Sequence, residues 1–173
     1  MTNGKASISV EVIESEDHQQ RFVLQKSWNK KKPMVTIITL YPGGADLILS
    51  DTTQMLITNE LYKKGFGGFY SVNLFSEIGL YSKSSKKINS ASNLINNEII
   101  LECAKKSEQV IFAWGSLPKT NTIANKCVEE LVKKLTEVKD KCFMLTDGIG
   151  ENCYHPLASK VRYKWNFVPV SIK

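Results

Sequence analysis

Met34-Val35-Thr36-Ile37-Ile38-Thr39-Leu40 runs directly into Tyr41-Pro42-Gly43-Gly44-Ala45-Asp46. The first seven residues form a short apolar run rich in β-branched side chains, the pattern of a strand buried on both faces. The residues after it predict a tight loop whose backbone N–H groups can face a ligand, since glycine permits close approach. No Gly-Lys-Ser/Thr follows, so this is not a Walker loop, and it is not the dinucleotide fingerprint G-x-G-x-x-G. Taken alone, the motif reads equally well as an ordinary strand-to-loop turn.

The same kind of junction recurs along the chain. Phe69 to Leu74 reads as a strand running into Val72-Asn73-Leu74-Phe75, and Val110 to Trp114 as one ending in Ala113-Trp114-Gly115-Ser116. Cys142 to Leu145 reads as a fourth, with Tyr154-His155-Pro156-Leu157 beyond it. Polar, Gly- and Pro-rich chemistry at the ends of successive apolar strands is how an open α/β sheet builds a site at its carboxyl edge.

Helical patterns lie between these strands. Asp51 with Gln54 three residues on resembles a capping box opening a helix to about Lys64, stopped by Gly65. Leu94, Ile95, Ile99, Cys103 and Ala104 give a second helical stripe, and Ile123, Cys127, Leu131 and Leu135 a third, over Thr122 to Val138. Strands alternating with helices predict a three-layer α/β/α domain with a mostly parallel central sheet of about four strands. Arg21 to Trp28 reads as another strand, Arg162 to Ile172 as a last one, and Ser7 to Ile13 as an edge strand in a loosely ordered lead-in over residues 1–18. Residues 19–173 are expected to form the single α/β domain, with Ser82 to Ser92, rich in Ser, Lys and Asn, as a long mobile loop.

A length of 173 residues suits one domain with a core of its own. Hydrophobic content of 42% and charged content of 23% place it among ordinary globular proteins. A net charge of +6 tilts it towards an anionic partner, with solvating lysine as the alternative source. Cys103, Cys127, Cys142 and Cys153 form no C-x-x-C pair, which predicts buried free thiols rather than a zinc site, and a reducing cytoplasm. Met1 to Asp17 has no signal-type apolar core and no run nears membrane-spanning length, so no membrane contact is expected.

Asn73 and His155 are the polar groups best placed at the strand ends. A side-chain amide offers a donor and acceptors and can pair with a nucleobase edge; a buried, turn-capping asparagine is the alternative. The imidazole can donate to an oxygen on which negative charge develops. Lys160, Arg162 and Lys164 alternate through Val161 and Tyr163, so on a strand they would share one face, suited to phosphates or simply solvated.

This order of motifs resembles the uracil-DNA glycosylase superfamily. There a G-x-x-P-G or related loop follows the first core strand, an asparagine ends the next, another ends in Trp-Gly, and H-P-S leads into a DNA-inserting loop. The matching residues are Tyr41-Pro42-Gly43, Asn73, Trp114-Gly115-Ser116 and His155-Pro156-Leu157. The chain is still more similar to a family of small bacterial and phage proteins known only as a domain of unknown function. Its pattern is N-P-S-x-A-D, D-x-T, G-x-G-G, N-L-F, W-G and H-P-L. Here those are Tyr41 to Asp46, Asp51-Thr52-Thr53, Gly65-Phe66-Gly67-Gly68, Asn73-Leu74-Phe75, Trp114-Gly115 and His155-Pro156-Leu157, a match over about Arg21 to Lys164.

The resemblance implies a glycosylase-like fold and a base-excision hydrolase, a monomer that acts on uracil in single- or double-stranded DNA without metal or cofactor. Asn73 would read the uracil edge against Pro42 and Gly43, and His155 would donate to the departing base. Asp46 or Asp51 would place the attacking water, and Tyr41 or Phe75 would stack on the base. Leu157 would fill the gap in the duplex, with Ser116, Lys160, Arg162 and Lys164 on the DNA. The chain departs from the superfamily pattern in three ways. Tyr41 stands where active enzymes commonly carry Asp or Asn, no aromatic residue occurs between Pro42 and Leu61, and Leu157 replaces the serine. These departures favour a second reading, a weak or inactive relative that binds nucleic acid. An enzyme acting on free nucleosides or nucleotides is the third.

Overall fold

The computed structural model describes residues 1–79 and 90–172. At its centre lies β3 (Met34–Thr39), where Val35 and Ile37 pack into one apolar layer and Ile38 into the other, all fully buried. β3 pairs in parallel with β4 (Gly68–Asn73) on one side and β5 (Gln109–Phe112) on the other, and β5 pairs in parallel with β6 (Cys142–Thr146). β2 (Arg21–Ser27) adds antiparallel to β4, β1 (Ser9–Glu14) antiparallel to β2, and β7 (Asn166–Pro169) antiparallel to β6. The order is β1-β2-β4-β3-β5-β6-β7. The α/β class matches the sequence, but the sheet has seven strands and is mixed, not four-stranded and mostly parallel. The edge strand expected at Ser7 to Ile13 is present over residues 9–14 as the outermost strand, so the lead-in is part of the sheet. The flanking strands carry polar residues at their edges, and pattern alone does not say which neighbour they join.

The helices divide between the two faces. α1 (Thr52–Lys63) buries Ile57 and Leu61 on the layer that holds Val35, Ile37 and Phe69. α2 (Ser90–Lys106) and α4 (Thr122–Lys134) bury Ile100, Ala104, Cys127 and Leu131 on the opposite layer, beside Ile38, Val72 and Phe112. A four-residue turn of helix, α3 (Leu117–Thr120), precedes α4. The chain continues past α4 as a 3-10 helix, Leu135–Lys141, whose Leu135 and Val138 pack on the same layer. In α2 the stripe expected at Leu94 and Ile95 points outward, and Asn93, Asn96 and Asn97 are buried instead. Residues 82–89 of the expected mobile loop lie outside the described residues, and residues 90–92 begin α2.

After β3 the chain crosses over through α1 on one face, and after β5 through α4 on the other. Adjacent parallel strands whose connections leave on opposite faces open a crevice at their carboxyl ends. Cys103, Cys127, Cys142 and Cys153 are all buried free thiols. Among the described residues no helix is long and apolar enough to cross a membrane.

Candidate functional site

The crevice holds a cavity of about 390 Å³. Four expected residues line it, Tyr41, Asn73 and Gly115 at or just past the ends of β3, β4 and β5 and His155 in the loop after β6, together with Pro42, Gly43 and Ser116. Of the two candidate carboxylates the cavity takes Asp51 and leaves out Asp46. Asp46 Oδ1 instead accepts from the N–H groups of Ile48 and Leu49, each at 2.7 Å, and closes its own turn. Those bonds are the larger reason its carboxyl lies below the usual carboxylate range. The turn holds Leu47, Ile48 and Leu49 out in solvent. Phe75 also stays out of the cavity: it is 3% exposed and belongs to the core, stacked behind Tyr41 with ring centroids 5.3 Å apart. Tyr41 thus lines the cavity, with Phe75 behind it.

Asp51 is the N-cap of α1, its Oδ1 accepting from the Gln54 backbone N–H at 2.8 Å. Its other oxygen lies against the loop after β3, where a β-carbon on Gly43 would stand 2.1 Å from Oδ2. Gly43 is therefore required for close approach of loop and carboxylate. The capping box is only half formed, because the Gln54 side chain turns away and its Nε2 donates to Ser71 Oγ at 2.8 Å. Gln54 lines the cavity at 3% exposure with Oε1 lacking a protein partner. The sequence marks Gln54 only as a helix-capping residue.

Asn73 is the last residue of β4 and 2% exposed. Its Nδ2 donates to Thr39 Oγ1 at 2.6 Å across the parallel β3/β4 pairing, and Asn96 of α2 donates to its backbone oxygen at 2.9 Å. Its Oδ1 has no protein partner. The side chain is held rigidly with one polar atom unspent.

Arg21 is a cavity residue the sequence reading passed over as the start of a strand. It is 3% exposed, and its Nη1 donates to the Ala45 carbonyl and, at 3.4 Å, to that of Gly43. Its Nε has no protein partner. Burial pulls its pKa down, with Asp51, Glu14 and Asp46 opposing this from beyond ion-pair distance. A buried cation near the amino end of a strand carried no sequence signal, since a strand-flanking arginine is usually solvent-facing.

Gly115 has φ +79°, in the left-handed region that favours glycine, and a β-carbon there would lie 3.4 Å from His155 Cβ. Trp114 stacks on Phe112, with centroids 4.6 Å apart, and walls the cavity from the core side. His155 Nδ1 accepts from the Leu157 backbone N–H at 3.3 Å, so the neutral ring carries its proton on Nε2. Burial lowers its pKa from the ordinary 6.5, with Asp51 opposing, which leaves it neutral at pH 7. Desolvation likewise raises the Tyr41 phenol, which stays protonated at neutral pH and is no base.

The basic tail does not lie on a strand. Hydrogen bonds from Val161, Arg162 and Lys164 to carbonyls three or four residues back wind residues 158–164 into helical turns, and strand structure begins only at Asn166. Lys160, Arg162 and Lys164 are exposed but do not share a strand face. Lys160 pairs with Asp147 at 3.7 Å, and Arg162 Nη2 donates to the Leu157 carbonyl at 2.8 Å. The proline after His155 and the buried Val161 and Trp165 favour this packed turn over an extended edge. Leu157 is 39% exposed beside His155, and a second groove of about 460 Å³ shares Gly115, Ser116 and His155 with the cavity.

A family model described as "Protein of unknown function (DUF1643)" matches residues 21–157, and so includes all the strand-end motifs. None of the curated proteins matches. Among solved structures, a carboxyl esterase 2 from the mycorrhizal fungus Tuber melanosporum aligns at 10% identity and a TM-score of 0.37. The alignment covers 79% of this chain and 43% of that one.

Proposed function

The chain belongs to the DUF1643 family, and from its site we propose a DNA base-excision hydrolase with a glycosylase-like arrangement that cleaves the N-glycosidic bond of uracil. One observation carries this reading. Asn73 at the end of β4, Tyr41 after β3, Asp51 at the start of α1 and a neutral, Nε2-protonated His155 after β6 converge on a cavity of about 390 Å³, room enough for a nucleobase. Such an enzyme must extrude the nucleotide, hold the base and stabilise it as it leaves as an anion. Tyr41, braced by Phe75, offers a ring face to the extruded base. The free Oδ1 of Asn73 accepts the ring N–H of uracil.

Asp51 positions a water and takes its proton as the water oxygen bonds to the sugar C1′. The C1′–N bond breaks with its electron pair staying on the base, and His155 Nε2–H donates to the oxygen on which that charge develops. Leu157, exposed beside His155, fills the emptied stack in this reading. Ser116 on the rim, with Lys160, Arg162 and Lys164, supplies contacts to the DNA backbone. Buried free thiols suit the reducing cytoplasm, where we place the chain.

Release of uracil from single- and double-stranded oligonucleotides, measured at single turnover, tests the proposal. Release by wild type, abolished in Asn73→Ala, supports it. A second reading, nucleic-acid binding without chemistry, is favoured by the protonated Tyr41 at the position where a carboxylate is usual. Salt-sensitive binding with no release would establish that reading.

A further inference from the structure

Among the described residues seven buried side-chain nitrogen or oxygen atoms lack a hydrogen-bond partner in the chain. Three of them, Arg21 Nε, Gln54 Oε1 and Asn73 Oδ1, belong to residues that wall the same cavity. Buried polar groups are rarely left unpaired, so three around one cavity call for a ligand with matching groups. Asn73 already has a role in the proposed reaction; Arg21 and Gln54 do not.

Gln54 is aimed as deliberately as Asn73. Its amide is fixed by Ser71, two residues before Asn73, so Ser71 and Asn73 project from one face of β4. Each amide is bonded to a hydroxyl, Ser71 for Gln54 and Thr39 for Asn73. A hydroxyl donates as readily as it accepts, so either amide keeps one polar atom free whichever way it is turned. Arg21 only donates, and among the described residues no carboxylate stands within ion-pair distance of it. Its partner in a ligand must therefore be an acceptor, best one able to carry negative charge. A lactam edge, –CO–NH–, offers a donor to an amide oxygen beside a carbonyl that becomes anionic when the base departs. An amino-substituted ring such as cytosine carries that charge poorly.

Building on the base-excision reading, we infer that Gln54 and Arg21 form a second recognition edge beside Asn73. Gln54 Oε1 shares the one ring N–H of the nucleotide with Asn73 Oδ1, so the site selects a nucleobase with an intact lactam N–H, and Arg21 holds its carbonyl against the guanidinium.

The test measures binding of 1-methyluracil, 1,3-dimethyluracil and 1-methylcytosine, in which a methyl group blocks N1 as the sugar does in DNA, to the full chain by NMR titration, alongside thermal unfolding. Wild type should prefer 1-methyluracil to 1,3-dimethyluracil and to 1-methylcytosine by about tenfold or more, the effect of one unpaired buried acceptor. Gln54→Leu should erase most of that preference. Ser71→Ala, which frees the Gln54 amide without altering the cavity wall, should weaken the preference while the chain stays folded. Equal affinity of wild type for the three bases, or no binding of 1-methyluracil, overturns the inference. So does an unchanged preference in the folded variants. Uracil release from DNA, run in parallel, separates the two claims. Unaltered release and preference in Gln54→Leu removes the second edge and leaves base excision standing. An intact lactam preference with no release leaves the edge standing and removes the excision.

Discussion

Asp51 Oδ2 lies where a side chain on Gly43 would have to begin: a β-carbon there would be 2.1 Å from the carboxylate oxygen. Gly43→Ala must displace the Asp51 carboxylate or the loop that Arg21 grips through the Gly43 and Ala45 carbonyls. We expect a stability loss of about 1–3 kcal/mol, the usual range for overpacking, with a larger fractional loss of base release. Denaturant titration and single-turnover rates on one preparation give both; wild-type values in each would contradict the close approach.

Asp51→Asn separates charge from capping. Asparagine caps a helix about as well as aspartate, so the unfolding midpoint should hold. Uracil release should fall about 10²–10⁴-fold if the carboxylate takes the water's proton. Asp46→Asn should leave the rate unchanged, because Asp46 closes a turn outside the cavity. An equal loss in both variants would remove Asp51 from the chemistry.

The lowered pKa of His155 fixes a sign. The unfolded chain binds the proton more readily than the folded one, so this contribution to stability is complete above pH 6.5 and is lost as pH falls through the folded-state value. Release should accordingly stay on its plateau below pH 6.5 before the acid limb begins, and His155→Ala should lower the plateau about 10²–10³-fold. An NMR titration of His155 giving a pKa above 6.5 would contradict the burial argument.

Lys160, Arg162 and Lys164 sit on turns beside Leu157, and Lys160 is already paired with Asp147. Replacing all three by alanine should reduce the slope of log affinity for DNA against log salt by about 2, since the paired lysine releases little. Slopes from fluorescence anisotropy at several salt concentrations measure this. No change would mark the turn as a solvated surface.

Burial raises all four thiols, three of them to about 11, so they are protonated near pH 8 as well as covered. Ellman's reagent should react slowly with the native chain and with four thiols after denaturation. Rapid reaction of even one native thiol would show that its covering layer opens.

The central strands and α1 were legible because their apolar period and the Asp51 cap are local signals. So was the convergence of Tyr41, Asn73, Gly115 and His155, which follows from their place in the segments that leave the carboxyl ends of the parallel strands. The extra strands escaped the count because pairing partners are settled across the sheet, not along the chain. Arg21 and Gln54 were missed for a similar reason: a strand-start arginine and a cap-box glutamine look solvated until tertiary packing buries them. Lys160 to Lys164 misled because alternation means one face only on a strand, and Pro156, Val161 and Trp165 draw that stretch into turns.

The walls of the cavity come from Arg21 at one end and His155 at the other, and β3 finds β5 across a register that joins Val35 to Gln109. Such long-range pairing slows folding, because loop-closure entropy is lost before contacts repay it. It also fixes a schedule on the ribosome. Until the segment around His155 has emerged, the nascent chain can collapse around β3 and α1, but its cavity lacks a wall.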